Sequence, residues 1–136
     1  MELTESAITQ QMVSWFRFQF PRLANVLIHV PNEGKRKMKT AYRNGRLVKY
    51  CPSMDRLKAE GLVPGVADLL LLTPRHGYGA LCIEVKTERK GSKQRPSQVA
   101  WEEAATAAGN KYVVVRTFEE FQKVISEYLD AEIFMY

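Results

Sequence analysis

Apolar residues recur at Ile8, Met12, Trp15 and Phe16, with Thr4 placed to cap and Pro21 to stop, so the spacing predicts a helix from Thr4 to about Phe20. Val26–Val30 is a short apolar run of strand type, halted by Pro31. The stretch after Gly34 has weak periodicity and holds the turn pair Asn44-Gly45, which suits a hairpin or a mobile arm over about 34–52. A short helix follows at Ser53–Glu60, ended by Gly61. After the tight turn Gly61–Gly65, Val66–Leu72 and Ala80–Lys86 read as two strands joined through the turn-rich Thr73–Gly79. Pro96 opens a helix that runs to Ala108 and stops at Gly109. Lys111–Arg116 is a valine-rich strand, and Thr117 caps a last amphipathic helix through Leu129. The order predicts one α/β domain over residues 1–136, a sheet with helices packed on both faces.

Composition narrows the classes. A chain of 136 residues with 46% hydrophobic content can bury a core without staples. Cys51 and Cys82 stand in unrelated contexts, with no CxxC or Cys/His cluster, so neither a disulfide framework nor a structural zinc is expected. Met1–Gln10 carries two glutamates and no apolar core, unlike a signal peptide. The longest apolar run, Ala67–Leu72, contains an aspartate and is too short to span a bilayer. A soluble, cytoplasmic protein without a membrane partner is the expectation.

Charge adds a partner. The net charge is +5, and between Gly34 and Met54 there is no acidic residue, while Lys35, Arg36, Lys37, Lys39, Arg43, Arg46 and Lys49 alternate with Tyr42 and Tyr50. A second cluster holds Lys86, Arg89, Lys90, Lys93 and Arg95. Such stretches serve to neutralise phosphates, or else form a solvated face. Two of them in one small chain favour nucleic acid.

The candidate chemistry sits on the central hairpin. A loop centred on His76 sets Asp68 opposite Glu84, and directly opposed side chains have Cβ atoms about 4.5–5.5 Å apart. Strand alternation puts Cys82, Glu84 and Lys86 on one face and Leu81, Ile83 and Val85 on the other, core-facing one. Two carboxylates held together in an apolar hairpin repel each other, and a hard divalent cation such as Mg²⁺ or Mn²⁺ removes that repulsion. Lys86 would then orient a water or stabilise charge growing on a phosphate. The plainer alternative is an ordinary ion pair of Lys86 with Glu84 or Asp68 at a strand edge. His29 and His76 are lone histidines, one at a strand end and one in a turn, and neither a nucleophile elbow nor a glycine-rich phosphate loop of the Walker or dinucleotide type is present, so no organic cofactor is expected.

Gly65-Val66-Ala67-Asp68 followed by Ile83-Glu84-Val85-Lys86 resembles the bipartite motif of the PD-(D/E)XK nucleases, and in particular a stand-alone VRR-NUC domain of the phage and prophage type. The resemblance extends over nearly the whole chain, through Pro31-Asn32-Glu33-Gly34, the Gly61–Gly65 turn, and Ser97-Gln98 with Trp101. Ala67 stands where that superfamily usually has its proline, a residue that shapes backbone and binds no metal. The resemblance implies a restriction-endonuclease-like mixed central sheet flanked by helices. It implies metal binding by Asp68, Glu84 and the backbone carbonyl of Val85, with Lys86 as catalytic lysine. Glu5 in the first helix and Gln98 in the helix after E-x-K would join the catalytic set. Helical spacing turns both inward: Glu5 shares a stripe with Ile8, Met12 and Trp15, and Gln98 one with Trp101, Ala105 and Ala108. The plainer alternatives are a carboxylate complementing the helix N-terminus, which the sequence alone favours for Glu5, and a helix-surface amide for Gln98.

The resulting expectation is a Mg²⁺- or Mn²⁺-dependent DNA endonuclease. Its preference for branched DNA, its homodimeric resolvase-like habit and its setting in a bacterial host cell rest on the resemblance. Lys35, Arg36, Lys37, Lys39, Arg43, Arg46, Lys49, Arg89, Lys90 and Lys93 are the expected DNA contacts. Alternatives are a non-catalytic nucleic-acid-binding protein that keeps the fold, or a monomeric flap or nicking nuclease.

Overall fold

Thr4 caps the first helix, α1 (Glu5–Gln19), its Oγ1 accepting from the Ala7 amide at 3.1 Å. Pro21 ends that helix and opens a six-residue 3₁₀ turn, Pro21–Val26, which delivers the chain to β1 (Leu27–His29). The basic stretch pairs with itself as β2 (Lys39–Arg43) and β3 (Arg46–Tyr50), and the helix α2 (Pro52–Ala59) follows. The hairpin turn is Asn44-Gly45, both at positive φ, the conformation whose twist matches a two-residue β-turn. Then come β4 (Leu69–Leu71), β5 (Leu81–Val85), α3 (Pro96–Ala107), β6 (Lys111–Val115) and α4 (Phe118–Leu129). Thr117 Oγ1 caps α4 by accepting from the Glu120 amide at 3.1 Å. The computed structural model describes residues 4–31, 39–86 and 94–132. They fall into two compact units, Met1–Val30 with Gly65–Tyr136, and Pro31–Pro64.

The larger unit is built on a mixed four-stranded sheet of order β1-β4-β5-β6. The first two pairings are antiparallel, and β5 and β6 run parallel, joined by α3 as the crossover that a parallel pair requires. Met12 and Phe16 of α1 and Phe121 and Ile125 of α4 pack one face, against Leu69, Leu71, Leu81, Ile83, Val85 and Val115. Trp15 meets Phe20, Phe118 and Phe121 edge-on, with ring centroids 6.0–6.1 Å apart, tying α1 to α4. The opposite face is thinner, with Ala67, Cys82 and Ala105 buried under Trp101, Leu70 and Tyr112. The architecture is the expected sheet with helices on both sides. Among the described residues no helix is long and apolar enough to cross a membrane.

The β4–β5 register pairs Leu69 with Ile83, Leu70 with Cys82 and Leu71 with Leu81. Carried back one residue, it sets Asp68, in the bend before β4, against Glu84, the pairing expected from a loop centred on His76. β4 itself is shorter than the predicted strand: Val66 and Ala67 lie outside the ladder after the turn at Pro64-Gly65, and Asp68 is a bend whose carbonyl still accepts the Val30 amide at 2.8 Å. Gly65, at φ +84°, lies against the first turn of α3, where an added Cβ would overlap the Ser97 carbonyl. This close approach fastens the Asp68 segment to the helix that carries Gln98. Gly65→Ala is therefore expected to lower unfolding stability by at least about 2 kcal/mol, from left-handed backbone strain plus the clash. Urea denaturation measures it, and an unchanged midpoint would mean that the contact yields without cost.

Candidate active site

Every second residue of β5 faces α3, and this alternation aims Glu84 away from the larger core. Glu84 is nonetheless only 2% exposed. A buried carboxylate must find partners or a proton. Asp68 is half-buried beside it, and its Oδ2 accepts the Val85 amide at 2.8 Å. Burial first, then a hydrogen bond between the two carboxyl groups and the repulsion of Asp68, push Glu84 up to about 8. The Lys86 charge and a backbone hydrogen bond at Asp68 pull it down, less strongly. Glu84 thus keeps its proton well above the usual carboxylate range.

Lys86 follows on the same face. Its side chain is 13% exposed, and Nζ lies 3.7 Å from Glu84 Oε2. Gln98, at the third position of α3, joins these groups. Its Nε2 donates to Glu84 Oε2 at 2.7 Å, while its Oε1 accepts from Lys86 Nζ at 3.2 Å and from the Arg95 amide at 2.8 Å. Those partners determine the amide's orientation: turned over, its NH₂ would face two donors. The bond to Arg95 also satisfies an amide at the entry to α3, as the glutamine of a capping box does. Further along the same face, Gln94 Nε2 donates to Glu102 Oε1 at 2.9 Å and to the Tyr112 hydroxyl at 3.1 Å. Burial leads in pushing the Tyr112 phenol up to about 12, aided by the negative field of Glu84, Glu102 and Asp68 and opposed by the Gln94 bond.

Of the residues expected from sequence, Asp68, Glu84, Lys86 and Gln98 come together, with the Val85 amide bonded into the group. Glu5 does not follow its predicted inward orientation. It is exposed in the first turn of α1, where a carboxylate complements the helix N-terminus. Lys39, Arg43, Arg46 and Lys49 are exposed on the β2–β3 hairpin of the smaller unit. Lys35, Arg36, Lys37, Arg89, Lys90 and Lys93, with Asn32 and Glu33, lie outside the described residues.

Sequence reasoning missed several neighbours. His29 Nδ1 lies 3.1 Å from the Asp68 carbonyl, a contact made through the β1–β4 pairing across 39 residues of chain. A groove of about 630 Å³ begins at Lys86 and Gln94 and continues past Val114, Arg116, Glu120 and Lys123. Arg116 and Lys123 are isolated in sequence, so no local cluster pointed to them.

The donor set has a definite preference. Among the described residues no group of three or more His, Cys, Asp or Glu side chains could hold a metal. Two adjacent carboxyls with little else suit a hard cation that keeps water and substrate oxygens in its shell, as Mg²⁺ and Mn²⁺ do. A cation would also take the place of the proton that burial favours on Glu84. The residues present fit such an ion.

No family model matches the chain, and no curated protein matches it. A solved structure described as a VRR_NUC domain protein superposes with a TM-score of 0.73, over 96% of this chain and 91% of that one, at 22% identity. The likeness is one of fold. It bears out the mixed sheet flanked by helices and agrees with the family resemblance read from the motifs.

The raised Glu84 carboxyl has a measurable consequence. Between about 4.5 and about 8 the folded protein holds a proton that the unfolded chain has released. With divalent ions chelated, stability should therefore fall as pH rises through that window, and Glu84→Gln should remove most of this slope. Urea midpoints measured across the window test it, and equal slopes in both proteins would show that Glu84 is not the group responsible.

Proposed function

We propose that this protein is a divalent-metal-dependent endonuclease that hydrolyses phosphodiester bonds in branched or otherwise structured DNA. The observation that carries the reading is the buried Glu84 carboxyl set against the half-buried Asp68 and joined through Gln98 to Lys86. A purely structural ion pair needs one carboxylate, whereas here a half-buried second one stands against the first and the lysine is partly drawn to an amide. Such a pair is costly to the fold unless a cation or a reaction uses it.

In this reading Asp68, Glu84 and the Val85 carbonyl hold Mg²⁺ or Mn²⁺. The bound ion supplies charge neutralisation at the phosphate and a water of lowered pKa. Lys86 stands beside the pair as a hydrogen-bond donor, able to orient the attacking water or to meet charge growing on a phosphate oxygen. Gln98 is a positioning residue: by bonding both Glu84 and Lys86 it limits their movement when substrate arrives. The water gives up a proton to solvent as its oxygen bonds to phosphorus, the P–O bond to the leaving strand breaks, and the leaving oxygen takes up a proton from solvent. The groove from Lys86 past Arg116 and Lys123 would seat the adjoining backbone. A homodimer with two such sites would cut two strands of a junction, as the family resemblance suggests. The exposed Lys39, Arg43, Arg46 and Lys49 would supply phosphate contacts from the hairpin.

Four-way junctions, flaps, splayed arms and duplexes, incubated with Mg²⁺ or Mn²⁺, test the proposal. Glu84→Ala and Lys86→Ala should each lower the cleavage rate by about 100-fold or more, the scale of removing a principal transition-state interaction. Equal cleavage by all three proteins would remove the assignment, and binding without any cleavage would leave a DNA-binding protein that keeps the fold. Cutting of flaps or nicking by a monomer would replace the resolvase-like reading.

The hairpin is tested separately through salt. Neutralising Lys39, Arg43, Arg46 and Lys49 together should flatten the dependence of log affinity on log salt, by about 0.9 for each duplex phosphate that the hairpin no longer neutralises. An unchanged slope would assign the hairpin another role.

A further inference from the structure

The two faces of the β2–β3 hairpin differ in kind. Alternation puts Lys39, Ala41, Arg43, Arg46, Val48 and Tyr50 on one face. There Ala41 and Tyr50 are half-buried, and the Arg43 guanidinium lies over the Tyr50 ring at 5.6 Å. The other face carries Thr40, Tyr42, Leu47 and Lys49, all exposed. Tyr42 and Leu47 are direct cross-strand partners, one step back from the Asn44-Gly45 tip, and remain 79% and 62% exposed. An aromatic and an aliphatic side chain left to solvent side by side is a costly use of surface.

The surrounding charge selects the occupant. Lys49 is the diagonal neighbour of Tyr42 on the same face, and Arg43 and Arg46 are paired across the strands at the tip. Like charges directly opposed destabilise a hairpin unless an anion lies between them. With no acidic residue from Gly34 to Met54, a second copy of the ribbon would bring cations against cations. A polyanion with an apolar face fits both features, and an unpaired nucleotide has that form. Bases stacked inside a duplex expose no such face.

We propose that this face of the hairpin is a stacking platform for unpaired bases. A base lies on the Tyr42 ring with Leu47 as its apolar flank, and Lys49, on the same face, takes a phosphate of the same strand. The platform gives the nuclease reading a substrate feature, the unpaired nucleotides of a junction, flap or splayed end. It rests on that reading only in taking nucleic acid as the partner.

The test is binding without cleavage. Labelled single-stranded DNA, duplex with a single-stranded overhang, and blunt duplex are titrated with the full chain in a chelating buffer and followed by anisotropy. Tyr42→Ala should weaken binding to the first two by about 5- to 100-fold, the range seen for removing one base–aromatic stack, with little change on blunt duplex. Tyr42→Trp should restore affinity, and its added indole fluorescence should be quenched when single strand binds. Leu47→Ala should give a smaller loss in the same direction. Both side chains are exposed, so the variants should fold, and circular dichroism checks this. Unchanged affinity, or an equal loss on all three DNAs, would overturn the platform. So would a change in sedimentation with no change in DNA affinity, which would assign the face to a second copy. Failure of the nuclease reading would show instead as absent cleavage by wild type, whatever Tyr42 does in the chelating buffer.

Discussion

A buried carboxyl held against a half-buried one is the constraint around which the rest of the site is arranged. Asp68 and Glu84 meet because the β4–β5 ladder pairs their neighbours and continues one step into the bend. The ladder is in turn locked by apolar residues: a slip of one position would turn Leu81, Ile83 and Val85 out of the larger core and Cys82 and Glu84 into it. The hydrophobic effect therefore sets the distance between two acids that repel each other. The raised Glu84 carboxyl shows the cost of that arrangement, and the donors around it show how the fold offsets it.

Those donors come from separate places in the fold. The Val85 amide belongs to the strand, Lys86 to its end, and the Gln98 amide to the first turn of α3. Gly65 lets the chain pass close enough to Ser97 for that helix to reach the pair. The asymmetry between the sheet's faces follows the same logic. The α1–α4 side is large and aromatic and supplies most of the apolar burial, while the α3 side is thin and made of small residues. A thin layer leaves room for the polar side chains gathered there, which a densely packed core would exclude.

Much of this was legible in the sequence because it depends on local periodicity. The caps at Thr4 and Thr117, the Asn44-Gly45 turn and the start of α3 at Pro96 each carry a short-range signal, and each element lies within a few residues of its predicted bounds. The Asp68–Glu84 pairing was legible too, since a hairpin's register follows from the centre of its loop. Glu5 went the other way. A stripe shared with Ile8, Met12 and Trp15 predicts an inward face only where another element covers the helix, and that cover begins at Ile8, leaving Glu5 exposed.

The chain by itself determined the order of elements, the face on which each strand residue lies, and the meeting of two acids and a lysine, because alternation and turn chemistry act over a few residues. Only the tertiary structure decided which distant groups complete the site. The contact of His29 with the Asp68 backbone, the bridging role of Gln98 and the groove past Arg116 and Lys123 all depend on how strands and helices pack. Packing is settled by the burial of whole faces, and no local pattern records which polar side chains that burial brings together. It also decided the surroundings of the opposed acids: a pairing register sets two carboxyls opposite each other, but the layer of α3 over them removes water and so raises Glu84.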